Sequence, residues 1–139
     1  MGFASADEVC TYIGGIFETA FADDEIGPKL AGTGIVLEFA FTEPEAHVVI
    51  DAADQKVYGD GLPGGLDAAP TPGATMSMSA DVGSAYWQGR VNLPMAMAKK
   101  KISVDGNVAS LLKLAPLSKK LFPSYVERLK ADGRDDLLV

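Results

Sequence analysis

The chain has 139 residues, enough for one domain over residues 1–139 that buries roughly two-thirds of its unfolded surface without cross-links or a metal. A single cysteine, Cys10, excludes an intrachain disulfide, and with one histidine there is no cysteine/histidine zinc cluster, so no metal or other cofactor is expected and a reducing, cytoplasmic setting is. The net charge of −7 argues against a nucleic-acid binder, no apolar run approaches the ~20 residues of a membrane span, and the acidic segment Met1–Glu8 does not read as a signal peptide.

In chain order, Ser5-x-x-Glu8 has the form of a capping box. Behind it Val9, Tyr12, Ile13, Ile16, Phe17, Ala20 and Phe21 recur at helical spacing, predicting an amphipathic helix over about 6–21 that ends in Asp23-Asp24-Glu25 and Gly27-Pro28. Gly14 and Gly15 inside it each cost about 1 kcal/mol relative to alanine, which burial of the apolar stripe must offset. From Thr33, period-two alternation puts Ile35, Leu37, Phe39 and Phe41 on one face of a strand. His47–Asp51 reads as a second strand with Val48 and Ile50 on one face, and Lys56–Tyr58 as a short third. Residues 59–73, rich in glycine and proline, read as a long loop that joins two strands or flanks a ligand opening.

Ala74–Ser79 alternates cleanly, with Met76 and Met78 on one face. Ser79 suits an N-cap and Asp81 a first turn, opening a helix with Val82, Ala85 and Tyr86 that stops at Gly89. Leu93–Ala98 suggests a short helix with Pro94 in its first turn. Ile102 and Val104 mark a fifth strand. A helix with Val108, Leu111, Leu112 and Ala115 follows and is expected to end at Pro116, and a last helix begins near Ser118 or Pro123 and buries Leu121, Tyr125, Val126 and Leu129. Five strands with helices packed on one face make an α+β layer arrangement.

Chemistry-bearing residues are sparse. His47 reads as structural or exposed, Cys10 has no second thiol, and Glu43 and Glu45 read as solvated carboxylates. There is no Walker A loop, no G-x-S-x-G and no H-E-x-x-H, so no catalytic residue is assigned. Charge is unevenly placed: residues 1–89 carry 14 acidic and 2 basic side chains, residues 90–139 carry 10 basic and 5 acidic. The basic end, with Lys99-Lys100-Lys101 and Lys119-Lys120, is either a solvated face or a means of meeting a carboxylate, a phosphate or an anionic membrane.

The stretch from Thr75 to Leu114 is the informative one. It reads Met76-Ser77-Met78-Ser79-Ala80-Asp81, then Gln88-Gly89-Arg90-Val91-Asn92-Leu93-Pro94, then Lys101-Ile102-Ser103-Val104-Asp105-Gly106-Asn107 and Leu111-Leu112-Lys113-Leu114. In order and spacing it resembles the sterol carrier protein type 2 family. It departs from the family before the last strand, where glycine commonly precedes the basic residue and this chain has lysine, within Lys99-Lys100-Lys101.

The resemblance implies a five-stranded sheet covered on one side by helices that enclose an apolar cavity, with a sterol, fatty acid or fatty acyl-CoA as ligand. Candidate walls are Phe39, Ile50, Met76, Met78, Tyr86, Trp87, Met95, Met97, Ile102 and Leu111. Four of the five methionines fall between Met76 and Met97, and methionine adapts to ligands of varied shape. Three readings stay open, in descending order of support: a non-catalytic carrier that binds and transfers or presents an apolar lipid; an accessory module that docks on a lipid- or isoprenoid-metabolising enzyme; and a small enzyme.

Overall fold

Period-two alternation of apolar side chains builds the sheet. In the computed structural model, β1 (Val36–Thr42), β2 (Ala46–Asp51), β3 (Lys56–Gly59), β4 (Ala74–Ser79) and β5 (Ile102–Gly106) pair in the order β3-β2-β1-β4-β5. The structure describes residues 3–62 and 65–139, and of Ser110 and Leu112 the backbone only, so the place expected for the Leu112 side chain on a buried stripe lies outside the described residues. All pairings are antiparallel except β1 with β4, which run parallel.

Register lines up the buried positions. Val48, Phe39 and Met76 share one row; Ile50, Leu37 and Ala74 share the next; Ala46, Phe41, Met78 and Ile102 share a third. All of these are buried. The alternate rows carry Glu38, His47, Thr75, Ser77 and Ser103, which leaves a largely polar second face. On it His47 Nδ1 lies 2.8 Å from Glu38 Oε2, and the Thr75 hydroxyl donates to Glu38 Oε1 at 3.3 Å.

The chain crosses from the edge strand β3 to β4 on the far side of β1, a lateral distance of about 14 Å at ~4.8 Å per strand. About four or five extended residues would span that distance, so the Gly/Pro-rich loop is longer than the crossing itself requires. Its last residue extends the ladder: Gly73 N–H donates to Val36 O and Gly73 O accepts from Asn107 N–H.

Among the described residues five helices supply the second layer: α1 (Ala6–Ala22), α2 (Ile26–Thr33), α3 (Ala80–Trp87), α4 (Leu93–Ala98) and α5 (Val108–Ala131). The expected α+β arrangement is therefore present. The capping residues read from sequence act as such: Ser5 accepts from Glu8 N–H and Ser79 from Val82 N–H.

Two helix expectations are corrected. The segment after α1 does not run straight into a strand but forms α2, with Thr33 as its last residue and Gly34 as its left-handed cap (φ 62°). Asp23 Oδ1 accepts from the N–H groups of Glu25 and Ile26 at 2.8 Å, and Pro28 falls in the first turn, where its missing N–H costs no intrahelical bond. Those two N–H bonds also hold the Asp23 carboxyl below its ordinary pKa.

Likewise the two C-terminal helices are one. Pro116 and Pro123 both lie inside α5, and both are on its exposed side, where water can take the freed carbonyls. The buried stripe of Leu111, Leu114, Leu117, Leu121, Tyr125 and Leu129 runs through both, so continuous core contact outweighs a cost of roughly 3 kcal/mol per proline. Val108, expected on the apolar side of this helix, is exposed at its start.

Trp87, at the end of α3, is the centre of the core. Its indole meets Phe17 of α1 edge-on at 5.3 Å, Phe39 of β1 at 6.2 Å and Phe122 of α5 at 6.0 Å. Glycines let the layers come this close: a Cβ at Gly83 would sit 2.5 Å from Phe41, and one at Gly15 would collide with the Arg128 guanidinium. A buried polar seam ties α3 to α5 and the C-terminal tail. Ser84 Oγ lies 2.8 Å from Tyr125 OH, while Gln88 donates to Leu137 O and accepts from Val139 N–H.

The contact at Gly83 yields a prediction. Gly83→Ala gains about 1 kcal/mol of helix propensity but must displace the Phe41 ring, an overpacking cost of roughly 1–3 kcal/mol. Thermal unfolding of the variant is expected at a lower temperature than wild type; an unchanged or higher midpoint would show that α3 does not lie this close to β1.

Candidate functional site

The chain leaves Trp87 through Gln88 and turns at Gly89, whose φ of 77° suits glycine and whose missing Cβ would lie 3.2 Å from Phe122. Asn92 then caps α4, accepting from Met95 N–H at 3.1 Å. Because α3 is fixed by Trp87 and α4 is held against β5, a gap remains between the two helices. It is a cleft of about 460 Å³, within the size range of small-molecule sites. Val82, Ala85, Val91, Met95 and Ala96 form its apolar wall, with Asn92 beside them, and Asp81, Arg90, Lys99 and Lys101 bring charge to it.

Electrostatically the rim is cationic. Among the described residues Arg90, Lys99 and Lys101 take part in no ion pair, whereas Lys120 pairs with Glu25 at 3.1 Å, Arg128 with Asp132 at 3.7 Å and Arg134 with Glu8 at 2.9 Å. Lys100 holds a left-handed backbone (φ 61°), the conformation that glycine adopts freely. The backbone thus makes a turn that suits glycine at a position that lysine occupies.

Of the ten residues named from sequence, only Met95 lines this cleft. Phe39, Ile50, Met76, Met78, Trp87, Ile102 and Leu111 are buried in the core between sheet and helices. Tyr86 is half-buried, stacked edge-on against Trp87 and Phe122. Met97 is exposed on α4. The arrangement therefore brings the apolar candidates together as packed core and places the concave surface one layer outward. Val82, Ala85, Val91 and Arg90 line it without a ligand signal of their own in the sequence, apart from the place of Arg90 and Val91 in the Thr75–Leu114 segment. Of the lysine run expected to meet a carboxylate or phosphate, Lys99 and Lys101 reach the cleft.

The two residues with nucleophilic or acid–base chemistry lie elsewhere. His47 is on the polar face of the sheet, and Cys10 is buried in α1, where its thiol donates to His47 O at 3.4 Å. Burial raises the Cys10 pKa from 9.0 to about 11. Among the described residues no three His, Cys, Asp or Glu side chains converge on a metal position, and no helix is long and apolar enough to cross a membrane.

A profile described as the SCP-2 sterol transfer family matches residues 16–119. No curated protein sequence matches significantly. Among solved structures, the sterol carrier protein domain 2 of Helicoverpa armigera is 21% identical, with a TM-score of 0.66 over 88% of this chain and 94% of that one. Sterol carrier protein 2 from Yarrowia lipolytica in its apo form is 17% identical, with a TM-score of 0.58 over 77% of this chain and 87% of that one. Sterol carrier protein-2 of Aedes aegypti in complex with palmitate is 21% identical, with a TM-score of 0.54 over 84% of this chain and 96% of that one. At these identities the likeness is one of fold.

Two predictions follow from the local geometry. Lys100→Gly removes a left-handed strain of about 1–2 kcal/mol against a glycine entropy cost of about 0.5–1 kcal/mol. Its melting temperature is expected to rise slightly; a fall would mean that the lysine makes a compensating contact. For Cys10, thiol-labelling of the native protein at neutral pH is expected to be far slower than in denaturant. The sign of its linkage is also set. Between pH 9 and about 11 the unfolded chain releases the thiol proton while the folded chain keeps it, so this group lowers stability as pH rises through that window. A Cys10→Ala variant should lose that part of the alkaline decline.

Proposed function

This chain belongs to the SCP-2 sterol transfer family, and on that premise we propose that it is a non-catalytic carrier that binds an apolar lipid and transfers or presents it. The observation that carries the reading is the α3–α4 cleft, with an aliphatic wall and a cationic rim. Such a site suits an amphiphile whose chain lies along Val82, Ala85, Val91 and Met95 and whose acidic head meets Arg90, Lys99 and Lys101. The palmitate complex of the Aedes aegypti relative supports a fatty acid as one such ligand. A longer ligand would extend inward past Ala96, which belongs to the same core as Met76, Met78, Ile102 and Trp87. There the two methionines are the side chains best able to change shape.

A carrier needs no reactive group at its site, and neither Cys10 nor His47 lines the cleft. This supports binding over catalysis and leaves the docked-module reading without an observation of its own. We place the chain as one domain working in a reducing, cytoplasmic setting.

The test is titration of delipidated protein with a fluorescent fatty acid. Saturable uptake at micromolar or tighter affinity is expected, and free ligand at a hundred times Kd should stabilise the fold by about 2.7 kcal/mol. Val91→Asp, which puts a carboxylate on the apolar wall, should weaken uptake at least tenfold. Lys101→Gln should weaken a fatty acid more than a neutral sterol. If delipidated wild-type protein takes up ligand without saturation, and its melting temperature does not move, the carrier reading fails.

A further inference from the structure

Helix α4 has the sequence Leu93-Pro94-Met95-Ala96-Met97-Ala98, with no polar side chain. A helix that is apolar all round is ordinarily buried. This one is not: Ala96 faces the core, but Pro94, Met95, Met97 and Ala98 are exposed. Among the described residues only four large hydrophobic side chains are exposed, and Met95 (54%) and Met97 (38%) are two of them. The helix is bracketed by Arg90 on one side and by Lys99, Lys100 and Lys101 on the other. None of the four makes an ion pair among the described residues, on a chain whose net charge is −7. The lysine run also persists through a turn at Lys100 that glycine would occupy with less strain.

We propose that the outer face of α4 with its flanking cations is a docking surface for an anionic lipid bilayer. An apolar knob ringed by lysines is the chemistry of an interfacial anchor. The methionines enter the boundary between head groups and acyl chains, and the lysine stems lie along the apolar surface while their ammonium groups meet lipid phosphates. Charge complementarity selects this occupant: the cations are unpaired and clustered, and an anionic leaflet attracts each of them. Docking in this orientation turns the rim of the cleft, at Met95, Lys99 and Lys101, toward the bilayer. The surface depends only on α4 and the lysine run, so it stands whatever the cleft holds.

The experiment is cosedimentation of the full chain with vesicles of phosphatidylcholine alone and of phosphatidylcholine mixed with phosphatidylserine. Binding to the mixed vesicles is expected to exceed binding to the neutral ones and to fall as salt screens the charges. Lys100→Glu should weaken it about tenfold and Met97→Ser several-fold. Lys130→Glu makes the same charge change near the far end of α5 and should have little effect. Absence of wild-type binding to mixed vesicles overturns the proposal and leaves the α4 face to a protein partner. Equal losses from Lys100→Glu and Lys130→Glu overturn it as well, because the attraction would then be general. Lys100 does not line the cleft, so fatty-acid uptake in vesicle-free solution should be the same in Lys100→Glu as in wild type. Failure of uptake in wild type would count against the carrier reading and not against docking.

Discussion

The Trp87 indole, set edge-on against Phe17 and flanked by Phe39 and Phe122, is the contact on which the rest of this structure depends. It joins α1, β1, α3 and α5 at one point and removes a large apolar surface from water. Because Trp87 ends α3, its burial sets where that helix stops and in which direction the chain leaves. Gly89 makes the turn at φ 77°, where a side chain would be strained and its Cβ would crowd the Phe122 ring at 3.2 Å. The α3–α4 cleft is the space left when α3 is held inward by this ring and α4 is drawn toward β5.

A second constraint is polar. Gln88, the residue after Trp87, spends both ends of its amide on the backbone of the C-terminal tail, and Ser84 meets the Tyr125 hydroxyl. Burial pushes that phenol up to about 12, so it stays neutral wherever the protein is folded at ordinary pH. Beside it, Tyr12 donates to Asp132 and carries the Arg128 guanidinium over its ring at 4.8 Å. Buried hydrogen bonds of this kind specify one arrangement of α3, α5 and tail, because leaving any partner unmatched would be costly.

The division of the cations follows from the same packing. Two basic residues of α5 find carboxylates: Lys120 meets Glu25 at the start of α2, and Arg128 meets Asp132 at the C-cap of α5 itself. Between α3 and β5, Arg90, Lys99 and Lys101 border a hollow with an aliphatic wall and one acidic residue, Asp81. A protein that is acidic overall thus presents a local positive surface next to its exposed methionines Met95 and Met97. The proposed binding of a chain-like acid and the proposed docking on a charged bilayer draw on this same juxtaposition from two sides.

The amino-acid sequence by itself determined the features that depend on near neighbours. Alternation placed Leu37, Phe39 and Phe41 on one face and Glu38 on the other, Ser5 and Ser79 were legible as caps, and the Thr75–Leu114 pattern pointed to the family. Tertiary structure decided what depends on distant partners. Helix α2 exists because Asp23 caps it and Leu30 reaches the core, and α5 continues through Pro116 and Pro123 because its leucine stripe never leaves the hydrophobic layer. Strand order was also settled there, as was the separation of Met76 and Met78, which fill the core, from Met95, which lines the cleft. Periodicity reports that a side chain faces inward. Whether it meets other side chains or an open hollow depends on where the opposite layer sits, and that is set by contacts such as Trp87 with Phe17, seventy residues apart in the chain.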